Sequence, residues 1–149
     1  MQEEKHLAAL REVKETIDEA LKDPRGMLPR QRRLMGALSL GMQHIIEIWL
    51  HRAGAIKPGA FVKHDWFQSE ERRLKLRLAG TLTKDIKTIS GADRILAIAR
   101  EIEANRNDII YGAPLATDMA LREKLEEFFE LKKIIEEETG EISWNQNTR

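Results

Sequence analysis

Apolar residues recurring at steps of three and four, in one long window after another, narrow what this chain can fold into more than any other feature. Leu7, Leu10, Val13, Ile17 and Leu21 share one helical stripe, and Leu38, Met42, Ile45, Ile46 and Trp49 share a second. Ile95, Leu96, Ile98, Ile102, Ile109 and Ile110 supply a third, and Leu121, Leu125, Phe128, Leu131 and Ile135 a fourth. Amphipathic helices bury such stripes against one another, so an all-α fold is expected, an up-and-down bundle of four to five helices. The helices are predicted at about 2–22, 28–53, from Ser90 up to Gly112, and 115–138. Asp23-Pro24-Arg25-Gly26, the Gly- and Pro-containing stretch 53–60, and Gly112 with Pro114 separate them.

Residues 61–83 depart from this period. Leu74, Leu76 and Leu78 alternate with Lys75 and Arg77 as in a strand, but no second candidate strand exists to pair with them, and helix is expected here too. At 149 residues the chain has the size of one domain, placed at 1–140, with 141–149 expected as a flexible tail.

Composition removes several classes of function. With 42% hydrophobic and 34% charged residues the chain is too apolar for disorder and too charged for a membrane protein. No window approaches the ~20 consecutive apolar residues of a membrane span, and Met1-Gln2-Glu3-Glu4-Lys5 is acidic where a secretory signal is basic, so a cytoplasmic protein with no membrane partner is expected. The absence of Cys rules out disulfides, thiolate zinc sites and thiol nucleophiles. Net charge is zero, yet residues 51–100 carry 11 basic against 5 acidic groups and residues 101–149 carry 6 against 12. The middle and last helices are therefore expected to pair with each other, within one chain or across a dimer; exposure of the basic middle to RNA is the alternative.

Asn105-Arg106-Asn107-Asp108-Ile109-Ile110-Tyr111-Gly112 sets polar groups into an otherwise apolar helix. A guanidinium offers five donors in a planar fork that suits phosphate, and the Asn107 amide beside it donates or accepts. Ordinary helix chemistry offers a competing account, with Arg106 pairing with Glu103 or Asp108 near the helix C-terminus.

This stretch resembles the signature of the HEPN superfamily: an Arg, a polar residue directly after it, and a His beyond a spacer of four to six residues. Arg106 and Asn107 match, the spacer to position 111 has the expected length, and Gly112 follows as it commonly does. Tyr111 stands where the family has His. A looser likeness covers residues 41–67, where a long helix, a Pro-containing loop and Lys63-His64-Asp65-Trp66-Phe67 follow one another. The resemblance implies a HEPN-like bundle that forms a homodimer, with two Arg-containing motifs facing one cleft in which RNA is cut without metal or other cofactor. It also implies a toxin-antitoxin or defence setting, with a nucleotidyltransferase-type antitoxin as partner. Within it Arg106, Asn107 and Tyr111 are the expected catalytic positions. Tyrosine ordinarily titrates near ~10, which suits a general base at neutral pH poorly. RNA or nucleotide binding with a degenerate active site is thus expected ahead of a metal-independent endoribonuclease, and a purely structural helical partner protein is the third class. If the motif is functional, Arg106 should be accessible in a cleft and not sealed in a salt bridge.

Phosphate-backbone candidates are Arg72, Arg73 and Arg77, together with the run Arg30-Gln31-Arg32-Arg33, and Trp66 and Phe67 offer rings for stacking on a base. His44, Glu47 and His51 lie at i, i+3 and i+7, opposite the apolar stripe of their helix, where imidazoles and a carboxylate can ligate zinc or nickel. A solvated polar face with a Glu47 to His51 pair is the commoner explanation, so no metal is expected. His64 is read as a surface loop residue, with proton donation as the alternative.

Overall fold

Pro24 and Gly26 end the first helix as expected, and the chain then runs through six α-helices in a computed structural model that describes residues 2–145. They are α1 (Gln2–Lys22), α2 (Gln31–Arg52), α3 (Glu71–Ala79), α4 (Ala92–Glu103), α5 (Arg106–Tyr111) and α6 (Met119–Thr139). Short 3-10 turns at Leu28–Arg30, His64–Gln68 and Ile86–Thr88 join them. Among the described residues there is no strand, only an isolated antiparallel bridge between Ile56 and Leu82 that closes the loop before α3 onto the loop after it. No helix among them is long and apolar enough to cross a membrane.

Helix α2 is the centre of the bundle and packs against α1, α4, α5 and α6. From Gly41 to Leu50 only Gln43 and His44 are even partly exposed, so of the polar face expected around His44, Glu47 and His51 the carboxylate is buried and the two histidines are only partly exposed. The face is covered by α1, whose buried stripe is His6, Leu10, Val13, Ile17 and Ala20; Leu21, expected in the core, is exposed. Helix α2 also comes close to α6 at Gly41, where a Cβ would stand 2.7 Å from the ring of Phe128 and 3.0 Å from Val13.

The 61–83 segment is helical, but only over nine residues of regular α-helix. Leu74 and Leu78, one turn apart, are buried, whereas Leu76 faces solvent, which is how a strand-like alternation is absorbed by a helix. Each leucine so buried contributes about 1.5–3 kcal/mol over an exposed one. The fourth predicted helix is two. It starts behind Gly91, next to the expected Ser90, and it breaks after Glu103 because Asn105 adopts φ 63°, the one positive φ among described non-glycine residues. Asn tolerates this left-handed conformation better than most side chains. The last helix begins at Met119, not Leu115.

The expected flexible tail is packed as far as it is described. Ile142 is buried, its N–H donates to Glu136 at 2.8 Å, and Trp144 stacks on Phe128 with ring centroids 5.9 Å apart. Residues 146–149 lie outside the described residues. Beside this segment Arg52, at the end of α2, donates to the Glu3 carboxylate at 2.9 and 3.2 Å and to the carbonyls of Gly140 and Glu141 at 2.7 and 3.0 Å.

Candidate functional site

The corner between α4 and α5 gathers the chemistry. Lys124 of α6, buried, donates to the carbonyl oxygens of Glu101 and, at 2.6 Å, Ala104, and so holds the C-terminal end of α4 in place. Burial lowers the affinity of this ammonium for its proton, and Glu127 and Glu103 act against that. These bonds satisfy two of the carbonyls that the end of a helix leaves without backbone partners.

Glu103, the last residue of α4, then projects into the core with no exposed surface. Its carboxylate accepts from Ser39 at 2.7 Å, from His64 Nδ1 at 2.5 Å and from Gln68 at 3.1 Å, and Arg106 Nε stands 3.8 Å away. A buried carboxylate is tolerated when hydrogen-bonded and paired in this way. An ionised carboxylate has no proton to give, so His64 Nδ1 must be the donor. That orients the ring and leaves Nε2 free to take or give a proton. The histidine side chain is about one-third exposed.

Arg106 is only partly available. Its side chain is 17% exposed, Nε is buried beside Glu103 without a hydrogen bond, and Nη1 donates to Asn107 Oδ1 at 3.1 Å. The open cleft expected around it is thus absent, and the Glu103 pairing, anticipated as its competitor, is present. Asn107 is exposed. Tyr111 is 77% exposed and is not drawn into the cluster around Glu103. His64, read as a loop residue, is the imidazole that joins the guanidinium.

Arg72, Arg73 and Arg77 are exposed on α3, and none makes an ion pair among the described residues. Helix α3 packs mainly on the 64–68 and 86–88 turns, so within the basic middle it is α4 that pairs with the acidic α6, with Arg94–Glu130 at 3.3 Å between them. In the other basic run Arg33 is exposed, but its neighbours are engaged internally. Arg30 bonds Asp23 and Glu19, and Arg32 donates to Ile110 O at 3.0 Å at the end of α5. Phe67 is fully buried and cannot stack on a base; Trp66 is half-buried.

A second cluster lies between α1 and α2, where His6 joins His44, Glu47 and His51. Burial, with His44 and His51 adding to it, pushes His6 down to about 4, and burial pushes Glu47 up to about 7 against the Val62 N–H.

Compared with protein families, curated proteins and solved structures, the chain matches none.

Proposed function

We propose that this chain is a HEPN-like RNA-binding protein whose phosphate-recognising centre is Arg106 with Asn107, backed by Glu103 and flanked by His64. The observation that carries it is the carboxylate-anchored pairing of an imidazole with a guanidinium. Glu103 holds both groups, with Arg106 Nε against it and Nη1 donating to Asn107, so a phosphate at this centre would take the place of the Asn107 oxygen. The 64–68 turn that carries His64 leads directly into α3, so the unpaired Arg72, Arg73 and Arg77 extend the basic surface from the same segment. Neighbouring phosphates of a single strand are the ligand that such a surface suits.

His64 favours a second reading, a metal-independent endoribonuclease in which an imidazole from another turn takes the role that Tyr111 cannot. The 2′-oxygen would form a bond to phosphorus as the bond to the 5′-oxygen breaks, with His64 Nε2 moving protons and Arg106 stabilising the developing charge. A homodimer and a nucleotidyltransferase-type antitoxin partner belong to the same proposal and rest on the motif resemblance alone.

Binding of labelled single-stranded RNA in EDTA, followed by fluorescence anisotropy across a salt series, tests the proposal. Replacing Arg72, Arg73 and Arg77 together with Ala should flatten the dependence of log K on log salt by about 2, since each phosphate contact on a single strand contributes ~0.7. Arg106→Ala should weaken binding further, and cleavage products lost in His64→Gln would establish the second reading. Binding that is absent at low salt, or indifferent to all four arginines, would refute the proposal.

A further inference from the structure

Three of the four histidines in the chain meet at one place, although they come from two helices and only two of them share a face in sequence. His6 of α1 reaches over α2, with Nδ1 2.9 Å from Nδ1 of His44 and its ring centroid 5.7 Å from that of His51. One donor atom each from His6, Glu47 and His51 lie within 4.8 Å of one another. We propose that His6, Glu47 and His51 form a site for a divalent transition metal of the zinc or nickel class that clips α1 onto α2.

An unpartnered atom makes this more than a chance gathering. His6 is more than nine-tenths buried, and its Nε2, wholly sealed from solvent, has no hydrogen-bond partner. A buried imidazole nitrogen without a partner is uncommon, and a lone pair directed at a cation is a natural explanation. The tautomer agrees. If Nε2 ligates, Nδ1 carries the proton and donates to His44 Nδ1, the outer hydrogen bond that orients metal-binding histidines. His44 thus acts as a positioning residue. Glu47 adds a buried carboxylate, and His51, partly exposed, leaves a route for the ion and for a water as fourth ligand. Donors on one tetrahedral ion with bonds of ~2.0–2.1 Å stand ~3.3–3.4 Å apart, so closing the site takes side-chain shifts of about an ångström.

The site is separate from the Glu103 cluster, and RNA binding measured in EDTA leaves it out, so the two proposals fail independently. Full-length protein stripped with EDTA and dialysed is titrated with Co(II), whose visible absorption reports tetrahedral ligation, and with Zn(II), followed by thermal melting. The expected result is one saturable equivalent, a rise in melting temperature of about 5 °C or more with saturating zinc, and binding weakened by about tenfold or more in His51→Ala and in Glu47→Gln. His51 is partly exposed, so its removal leaves the fold intact, which circular dichroism before metal addition verifies. No saturable binding in the micromolar range, or undiminished binding in either His51→Ala or Glu47→Gln, overturns the proposal.

Discussion

Substituting Gly41 tests whether the bundle is held at one three-helix contact. A methyl group at this position of α2 would meet Cε1 and Cζ of Phe128 at 2.7 and 2.9 Å and Cγ1 of Val13 at 3.0 Å, so α1 and α6 both press on it. Phe128 has no exposed surface, and Trp144 stacks on its ring, so the ring has little room to move. Gly36, five residues earlier on the same helix, has nothing within 4 Å of its would-be Cβ. Both substitutions by Ala gain the same helix propensity, about 0.5–1 kcal/mol. Overpacking a filled core costs about 1–3 kcal/mol, and this falls on Gly41→Ala alone. The two variants should therefore differ by about 1–3 kcal/mol in urea unfolding followed by circular dichroism, or about 3–9 °C in melting temperature, with Gly36→Ala above the parent. Phe128→Leu should cost less in the Gly41→Ala background than in the parent, because the removed ring atoms are the ones that clash. Equal stability of the two alanine variants would refute the idea that α2 and α6 are in hard contact here.

Two further outcomes follow from the backbone and from Asp23. Asn105→Gly should leave stability within about 0.5 kcal/mol of the parent, whereas Asn105→Val should lose about 1–2 kcal/mol, because a β-branched residue resists the left-handed conformation at φ 63°; chemical unfolding of the pair settles it, and equal values would mean that the α4–α5 corner relaxes. Asp23 is held well below the ordinary carboxylate range by the side chain and N–H of Arg25 and by Arg30. A carboxyl that is more acidic folded than unfolded contributes stability that is full above its ordinary value of 3.8 and is lost as pH falls below it. Asp23→Asn should therefore melt below the parent at neutral pH, and the gap should close toward pH ~2; a gap that persists in acid would point to lost packing instead.

The helices were legible because apolar spacing is a local property, and α2 and α6 follow it closely. What escaped is what depends on a second element. His6 carries no sign in sequence that it faces α2, and Glu47 reads as solvated until α1 is laid over it. The break at Asn105 was hidden because an Asn in the left-handed region looks like any other Asn, and the apolar residues on either side keep an almost continuous period. Glu103 was visible only as a possible neighbour of Arg106. Ser39 was the clue to it, a hydroxyl between Leu38 and Leu40 in an apolar run, which needs a polar partner once buried. His64 lies 39 residues from Glu103 along the chain, and no short-range pattern connects them.

Arg52 has a topological consequence. One guanidinium grips residue 3 through its carboxylate and residues 140 and 141 through their carbonyls, so the first and last helices are fastened at a single point on the end of the central one. A cut in the exposed Pro58-Gly59 loop would therefore leave both of those helices still fastened to the end of α2.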